Sequence, residues 1–156
     1  MRSDLEFVPA IPEDAWVITP FLHDDYRREL LALVNPGDEA FLLQDAIYNS
    51  LSATAIWDGV VLVAVLGHFI SCPLSGEAHP WCVWSEDVGC YGDLHRRVIG
   101  AYAEMVLEDF SVATNWTRAD NVKGHELLRG FGFEVSRDPV GISPTGVEMV
   151  SYWKSS

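Results

Sequence analysis

The sequence predicts an α/β fold: a mixed, mainly antiparallel sheet of six to seven strands flanked by helices, as one domain over residues 1–156. Three observations predict it. Stretches with strand-like alternation and stretches with apolar residues three or four apart are interleaved along the chain rather than segregated. Asp58-Gly59 joins two apolar runs, the signal of a tight hairpin. Towards the end, a strand, a short helix broken by Gly130-Phe131-Gly132 and two further strands follow in close order. A chain of 156 residues that is 49% apolar is long enough to bury a substantial core.

Residues 5–8 read as a first strand, punctuated by Pro9 and Pro12, with Pro12 suited to the first turn of a helix that Glu13 and Asp14 favour at its N-terminus. A second helix starts at His23-Asp24-Asp25 and places Tyr26, Leu30, Leu33 and Val34 on one face before Asn35-Pro36-Gly37 breaks it. A third carries Ala40, Leu43, Ile47 and Leu51, and these helices are expected to cover one side of the sheet. Residues 52–57 alternate as a strand. Residues 60–70 return from the hairpin, apolar on both faces as in a central strand covered on both sides. Residues 73–80 are rich in Pro, Gly and Ser and read as a loop, and residues 81–85 as the next strand. Residues 91–110 form a long helix with Leu94, Val98, Ala101 and Met105 as its stripe. Residues 111–117 are a strand and 121–130 a short helix. Residues 133–135 and 147–153 are closing strands, joined through a turn-rich segment.

Composition narrows the function. The net charge is −13, and no Lys or Arg occurs between Arg28 and Arg96. Binding nucleic acid takes cations to replace phosphate counterions, so a nucleic-acid partner is not expected. An acidic surface either attracts a cationic amine or protein partner or only keeps the chain dispersed. No apolar run is long enough to span a bilayer, and the stretch from Met1 to Glu6 lacks a signal-peptide core. A cytoplasmic location without membrane contact is therefore expected. Cys72, Cys82 and Cys90 are odd in number, which argues against a disulfide framework. Together with His79 they match no metal-ligand spacing, so no metal is expected, and Cys72 and Cys82 read as small buried hydrophobes.

Three stretches carry more. The first is Asp58-Gly59 with the strand after it. The second is Trp81-Cys82-Val83-Trp84-Ser85, followed by a glycine-containing turn and a long helix. The third runs from Asp120 to Phe133, with Asn121, Gly124, the Leu127-Leu128 pair and the closing Gly132-Phe133. In this order they resemble the GNAT acetyltransferase superfamily, and the likeness in element order covers essentially the whole chain. A narrower likeness, carried by residues 36–50, Ser50-Leu51-Ser52 and Val83-Trp84, is to GNAT-like phage proteins related to internal virion protein A of short-tailed phages.

The resemblance implies acetyl-CoA or another acyl-CoA as cosubstrate and an amine acceptor. The fourth and fifth strands would splay, and the backbone of Val83, Trp84 and Ser85 would pair with the pantetheine amides. This is chemically reasonable because an open strand edge accepts a peptide-like arm. The turn after the fourth strand would hold the pyrophosphate at a helix N-terminus. Here it reads Glu86-Asp87-Val88-Gly89-Cys90-Tyr91-Gly92-Asp93. Gly89 fits the family pattern, whereas Glu86 stands where Gln or Arg is usual and Tyr91 where a second small residue is usual. Arg96 or Arg97 would have to fold back against the carboxylates. Gly89 and Gly92 equally suit an ordinary helix start. Glu86 and His68 are the candidate bases. The family's acid, a Tyr seven residues after the signature Asn, is Leu128 here, so His125 is the candidate substitute, though it equally reads as a surface or capping residue. Asn121 would bind the cofactor or cap the helix. Two functions follow: an N-acyltransferase, or a phage-encoded relative that keeps the fold and works by binding a host or phage protein.

Overall fold

The computed structural model describes residues 4–156. The expectation drawn from Met1–Ser3 lies outside the described residues. The sheet has eight strands: β1 (Leu5–Pro9), β2 (Ser52–Asp58), β3 (Val61–Phe69), β4 (Glu77–Trp84), β5 (Val112–Arg118), β6 (Glu134–Val135), β7 (Gly141–Ile142) and β8 (Glu148–Ser155). They lie in the order β1-β2-β3-β4-β5-β8-β6, with β7 also against β8. Every pairing is antiparallel except β4 with β5. A parallel pair needs a long crossover, and α4 (Leu94–Asp109) supplies it.

The predicted hairpin is present, with Gly59 at φ 60 between β2 and β3. Leu62 to His68 are all buried, as a strand covered on both faces must be. On one face α1 (Asp14–Ile18), α2 (Asp24–Leu31) and α3 (Glu39–Asn49) bring Ala15, Ile18, Leu30, Leu43 and Ile47 against Ala55, Val65 and Val83. On the other, Leu94 of α4 packs with Ile56, Ala64, Leu66 and Trp84. Lower on α4, Ala103 and Val106 pack with Ala78, Ala113 and Phe133 beneath β4 and β5. The sheet register skips between Ile56 and Trp57, so Val63 has no partner residue on β2. Its carbonyl instead accepts the Ser85 N–H at 2.8 Å. Gly67 is required by close approach: a Cβ there would lie 2.7 Å from the Ser52 carbonyl.

Several sequence expectations are corrected. β4 begins at Glu77, so the second half of the expected loop at 73–80 is strand. Gly76 turns the chain at φ 73, and Glu77 and Ala78 pair with Val112 and Ala113. The long helix starts at Leu94, after a 3-10 turn over Glu86–Tyr91. Its packing face runs through Leu94, Val98, Tyr102 and Val106, four residues apart, while Ala101 and Met105 face solvent. Tyr102 can turn inward because its hydroxyl meets His68 Nδ1 at 2.7 Å. Leu51 lies beyond α3 and is exposed, and so is Cys72. The turn-rich segment holds β7, two residues too short for any periodic signal. Among the described residues no helix is long and apolar enough to cross a membrane.

Candidate functional site

The parallel contact of β4 and β5 is confined to two residue pairs, Glu77–Val112 and Ala78–Ala113. Above it, side chains replace the backbone ladder. His79 Nδ1 meets the Thr114 carbonyl at 3.0 Å, and Asn115 Nδ2 donates to the Pro80 carbonyl at 2.8 Å. Pro80 has no N–H to contribute to a ladder. Beyond Pro80 the strands separate around a cavity of about 760 Å³, walled by Trp81, Cys82 and Val83 on one side and by Asn115, Trp116 and Thr117 on the other.

Three observed bonds fix which backbone groups face this cleft. The Ser85 N–H points back to β3, where Val63 accepts it, while the carbonyls of Pro80 and Trp84 point away from β3, to Asn115 and to the His23 N–H. Backbone groups alternate along a strand, and β4 keeps an unbroken register with β3 from His79 to Trp84. The N–H and C=O of Cys82 and Trp84 therefore turn to the cleft, and those of Val83 and Ser85 to β3. Of the set expected from sequence, Trp84 turns its backbone to the cleft, Val83 and Ser85 turn theirs to β3, and Cys82 is added. Val83 contributes its side chain to the cavity wall, Trp84 is buried beside it, and Ser85 is buried with its N–H engaged.

Helix α2 crosses the mouth of the splay. At its start the His23 N–H bonds the Trp84 carbonyl at 2.9 Å, and the His23 ring caps the Asp25 N–H at 3.2 Å. Six residues later, about 9 Å along a helix, Glu29 accepts from the Thr117 hydroxyl, from the Arg118 N–H at 3.2 Å and from Asn121 Nδ2 at 2.9 Å. Asn121 also caps α5 (Val122–Gly130), its Oδ1 accepting the Gly124 N–H at 3.1 Å. A Cβ on Gly124 would lie 2.5 Å from Asn121 Nδ2, so the Asn121 side chain would have to shift to admit one.

Inside the cleft, the Tyr26 hydroxyl of α2 lies 2.5 Å from His95 Nε2 of α4. The Trp84 ring meets the His95 ring edge-on at 4.9 Å. Cys82 packs in the same cluster as Tyr26, and all three polar side chains line the cavity. Burial, reinforced by the charges of Arg96 and His23, lowers the pKa of His95 to about 4. Burial, then the neighbouring Cys82, holds Tyr26 well above the usual tyrosine range. Burial pushes the Cys82 thiol up to about 11. At neutral pH the cluster is an uncharged donor–acceptor chain, and Cys82 is a thiol rather than a nucleophilic thiolate. Tyr152, raised by burial, donates to the Pro80 carbonyl at 3.4 Å.

The remaining sequence candidates are dispersed. Arg96 and Asn121 line the cavity with Val83. Glu86 is exposed at the head of the 3-10 turn, Gly89 and Gly92 are exposed at the entrance to α4, and Arg97 pairs with Asp93 at 3.2 Å rather than folding over the turn. His125 is buried, with Nε2 2.9 Å from the Arg118 carbonyl, so it pins the strand-to-helix junction. His68 is buried against Tyr102 and Phe110, and burial lowers its pKa. Leu128, at the position of the family's acid, is cavity wall. Tyr26, His95 and Glu29 carried no sequence motif. Tyr26 read as part of an apolar stripe, and the contact with His95 joins residues 69 positions apart. Among the described residues no group of three or more His, Cys, Asp or Glu is placed to hold a metal ion.

No protein-family model matches the chain, and no curated protein sequence matches it significantly. Its fold does match solved acetyltransferases. Spermidine N-acetyltransferase of Vibrio cholerae, solved with CoA and spermine, is 13% identical with a TM-score of 0.71, the match covering 98% of this chain and 96% of that one. Ribosomal-protein-S5-alanine acetyltransferase of Vibrio fischeri is 12% identical with a TM-score of 0.63, over 98% and 93% of the two chains. An acetyltransferase of Thermus thermophilus is 16% identical with a TM-score of 0.71, over 99% of each. At these identities the likeness establishes the architecture, a GNAT fold.

Proposed function

We propose that this chain is an acyl-CoA-dependent N-acyltransferase, with acetyl-CoA as donor and a cationic amine, on a small molecule or a protein, as acceptor. One observation carries the reading: β4 leaves its outer edge open over a cavity of about 760 Å³, at the place where strands β4 and β5 part. A pantetheine arm is an extended diamide, and the N–H and C=O of Cys82 and the N–H of Trp84 are partners of the right kind, the Trp84 carbonyl being taken by the His23 N–H. The CoA and spermine bound to the Vibrio cholerae neighbour support the same donor and acceptor classes.

The chain's own groups divide the work. A backbone N–H at the open edge of β4 polarises the thioester carbonyl. The turn at Gly89 to Gly92 and the first turn of α4 offer N–H groups to the pyrophosphate. Arg96, at the cavity, offsets Glu86, Asp87 and Asp93 there. The acceptor nitrogen attacks the acyl carbon, the C–S bond breaks, and the sulfur takes a proton. We assign no proton transfer to Glu86, His125 or His68: the first is exposed on the turn, and each histidine is bonded to a structural partner.

The second reading, partner binding without catalysis, draws on the His23 bond to the Trp84 carbonyl, which occupies one group of the open edge. The likeness to phage proteins belongs with it. Isothermal titration of acetyl-CoA into the protein separates the two. One-to-one binding supports the transferase. An absence of heat and of thermal stabilisation at millimolar ligand overturns it.

A further inference from the structure

Acyl transfer to an amine moves one proton in net terms from the attacking nitrogen to the departing sulfur, and an apolar cleft needs a group to carry it. Several of the polar side chains that line this cleft are engaged elsewhere. Tyr152 donates to the Pro80 carbonyl, and the Glu29 carboxylate accepts from Thr117, Arg118 and Asn121. The residue at the family's acid position, Leu128, has no proton to give. Arg96 and Lys123 also line the cleft but are cations, and Tyr26 with His95 offers a hydrogen-bonded hydroxyl and ring nitrogen. Tyr26 and His95 approach from helices α2 and α4, which pack mainly on opposite faces of the sheet, and meet in the cavity at 2.5 Å.

We propose that Tyr26 is the catalytic proton carrier of this transfer, with His95 as the positioning residue that holds its hydroxyl and stores the proton. The inference rests on the acyltransferase reading above. The neutral amine forms the N–C bond and sheds a proton to the Tyr26 oxygen, as the proton of Tyr26 passes to His95 Nε2. When the C–S bond breaks and the electron pair leaves on sulfur, Tyr26 protonates the sulfur and Nε2 returns its proton to Tyr26. One proton has moved from nitrogen to sulfur, and the protein is unchanged. The geometry fits the demand. His95 Nε2 is within hydrogen-bond reach of a hydroxyl, and the Trp84 ring meets the His95 ring edge-on at 4.9 Å.

The test reads the sulfur directly and needs no acceptor. CoA itself is bound to the wild-type protein, to Tyr26→Phe and to His95→Gln, with affinity measured by calorimetry. The thiolate absorbance of the bound CoA is then titrated. A Tyr26 hydroxyl that faces the sulfur stabilises the thiolate. Tyr26→Phe is therefore expected to raise the pKa of the bound thiol by about one unit, a tenfold change in its ionisation, with CoA affinity within threefold of wild type. His95→Gln, on the other helix, is expected to shift it in the same direction by less, and carries the test if Tyr26→Phe fails to fold. An unchanged thiol pKa in folded variants that bind CoA normally overturns the assignment to Tyr26 and leaves the transferase reading intact. Failure of the wild-type protein to bind CoA and acetyl-CoA overturns both.

Discussion

Two junctions bracket the cleft, and they are built differently. Between β5 and α5, residues 117–125 are tied at nearly every position. Thr117, Arg118 and Asn121 bond to Glu29, Asn121 caps Gly124, Arg118 forks onto Asp120 at 2.8 and 2.9 Å, and His125 bonds the Arg118 carbonyl. Between β4 and α4, residues 86–93 are mostly exposed. Neither helical start has a side-chain cap, and the ion pair of Asp93 with Arg97 is at the surface. The first junction is shaped by the protein's own contacts. The second is held mainly through Tyr91, whose hydroxyl donates to Asp58 at 2.9 Å, and through Val88 and Tyr91 packed on the core, while its exposed residues are left to what the turn binds.

The strongest way to break the comparison is at Glu29. Its replacement by alanine leaves the Arg118 N–H, the Thr117 hydroxyl and the Asn121 amide without their acceptor. Each such loss costs about 1–3 kcal/mol where the group is buried. Thr117 is buried but Arg118 and Asn121 are partly exposed, so a total of about 2–3 kcal/mol is expected, or a fall in Tm of roughly 4–12 °C for a domain of this size. A fall under two degrees in a thermal melt would mean that α2 is not fastened across the cleft by this residue.

Gly124→Ala probes the same junction more gently. The added methyl group has to displace the Asn121 side chain, which loses its cap to Gly124 and its bond to Glu29. The cap is worth about 1 kcal/mol and the second bond a similar amount. The better helix propensity of alanine returns about 1 kcal/mol. A net loss of about 1 kcal/mol is expected in urea melts, and a variant more stable than the parent would show that Asn121 moves without cost.

Acid sensitivity probes the cleft between the junctions. The folded-state pKa of His95 is lowered to about 4, first by burial and then by Arg96 and His23. The folded form therefore binds fewer protons than the unfolded chain, whose histidine titrates at about 6.5. The contribution of His95 is complete above that pH and is lost as pH falls towards 4. His68, lowered by burial against the opposing charge of Asp109, acts in the same direction. Tm is expected to fall between pH 6.5 and 4, and less steeply in His95→Gln. Parallel profiles for the two proteins would exclude His95 as a source of the slope.

How much of this was legible in the sequence follows the same division. The β2–β3 hairpin is written in Asp58-Gly59 and the apolar run behind it, and α5 in its cap and its glycine, because each is set by neighbours in the chain. The first half of β4 was not legible. Glu77 and Ala78 become strand through pairing with Val112 and Ala113, thirty-five residues away. The Tyr26–His95 contact was hidden for the same reason: it exists only once α2 and α4 are on the sheet, and neither residue announces it locally. Of the backbone groups expected at the cleft, those of Trp84 face it and those of Val83 and Ser85 do not, since which way a strand's N–H groups point is fixed by its partner strand.

The smallest stability effect expected is at Gly89, where no atom lies within 4 Å of an added Cβ and φ is not positive. Gly89→Ala should change unfolding free energy by less than about 0.5 kcal/mol. Set against Gly124→Ala, this is the same substitution in the two junctions, at one position constrained from within and at one that is not. Gly89→Glu should be equally mild for the free protein while removing the stabilisation by acetyl-CoA, because a further carboxylate at a helix start repels a diphosphate. Thermal melts with and without acetyl-CoA read both. A variant that loses stability without ligand would show that the turn is held at Gly89 as well. One that keeps the full ligand-induced rise would move the pyrophosphate away from Gly89.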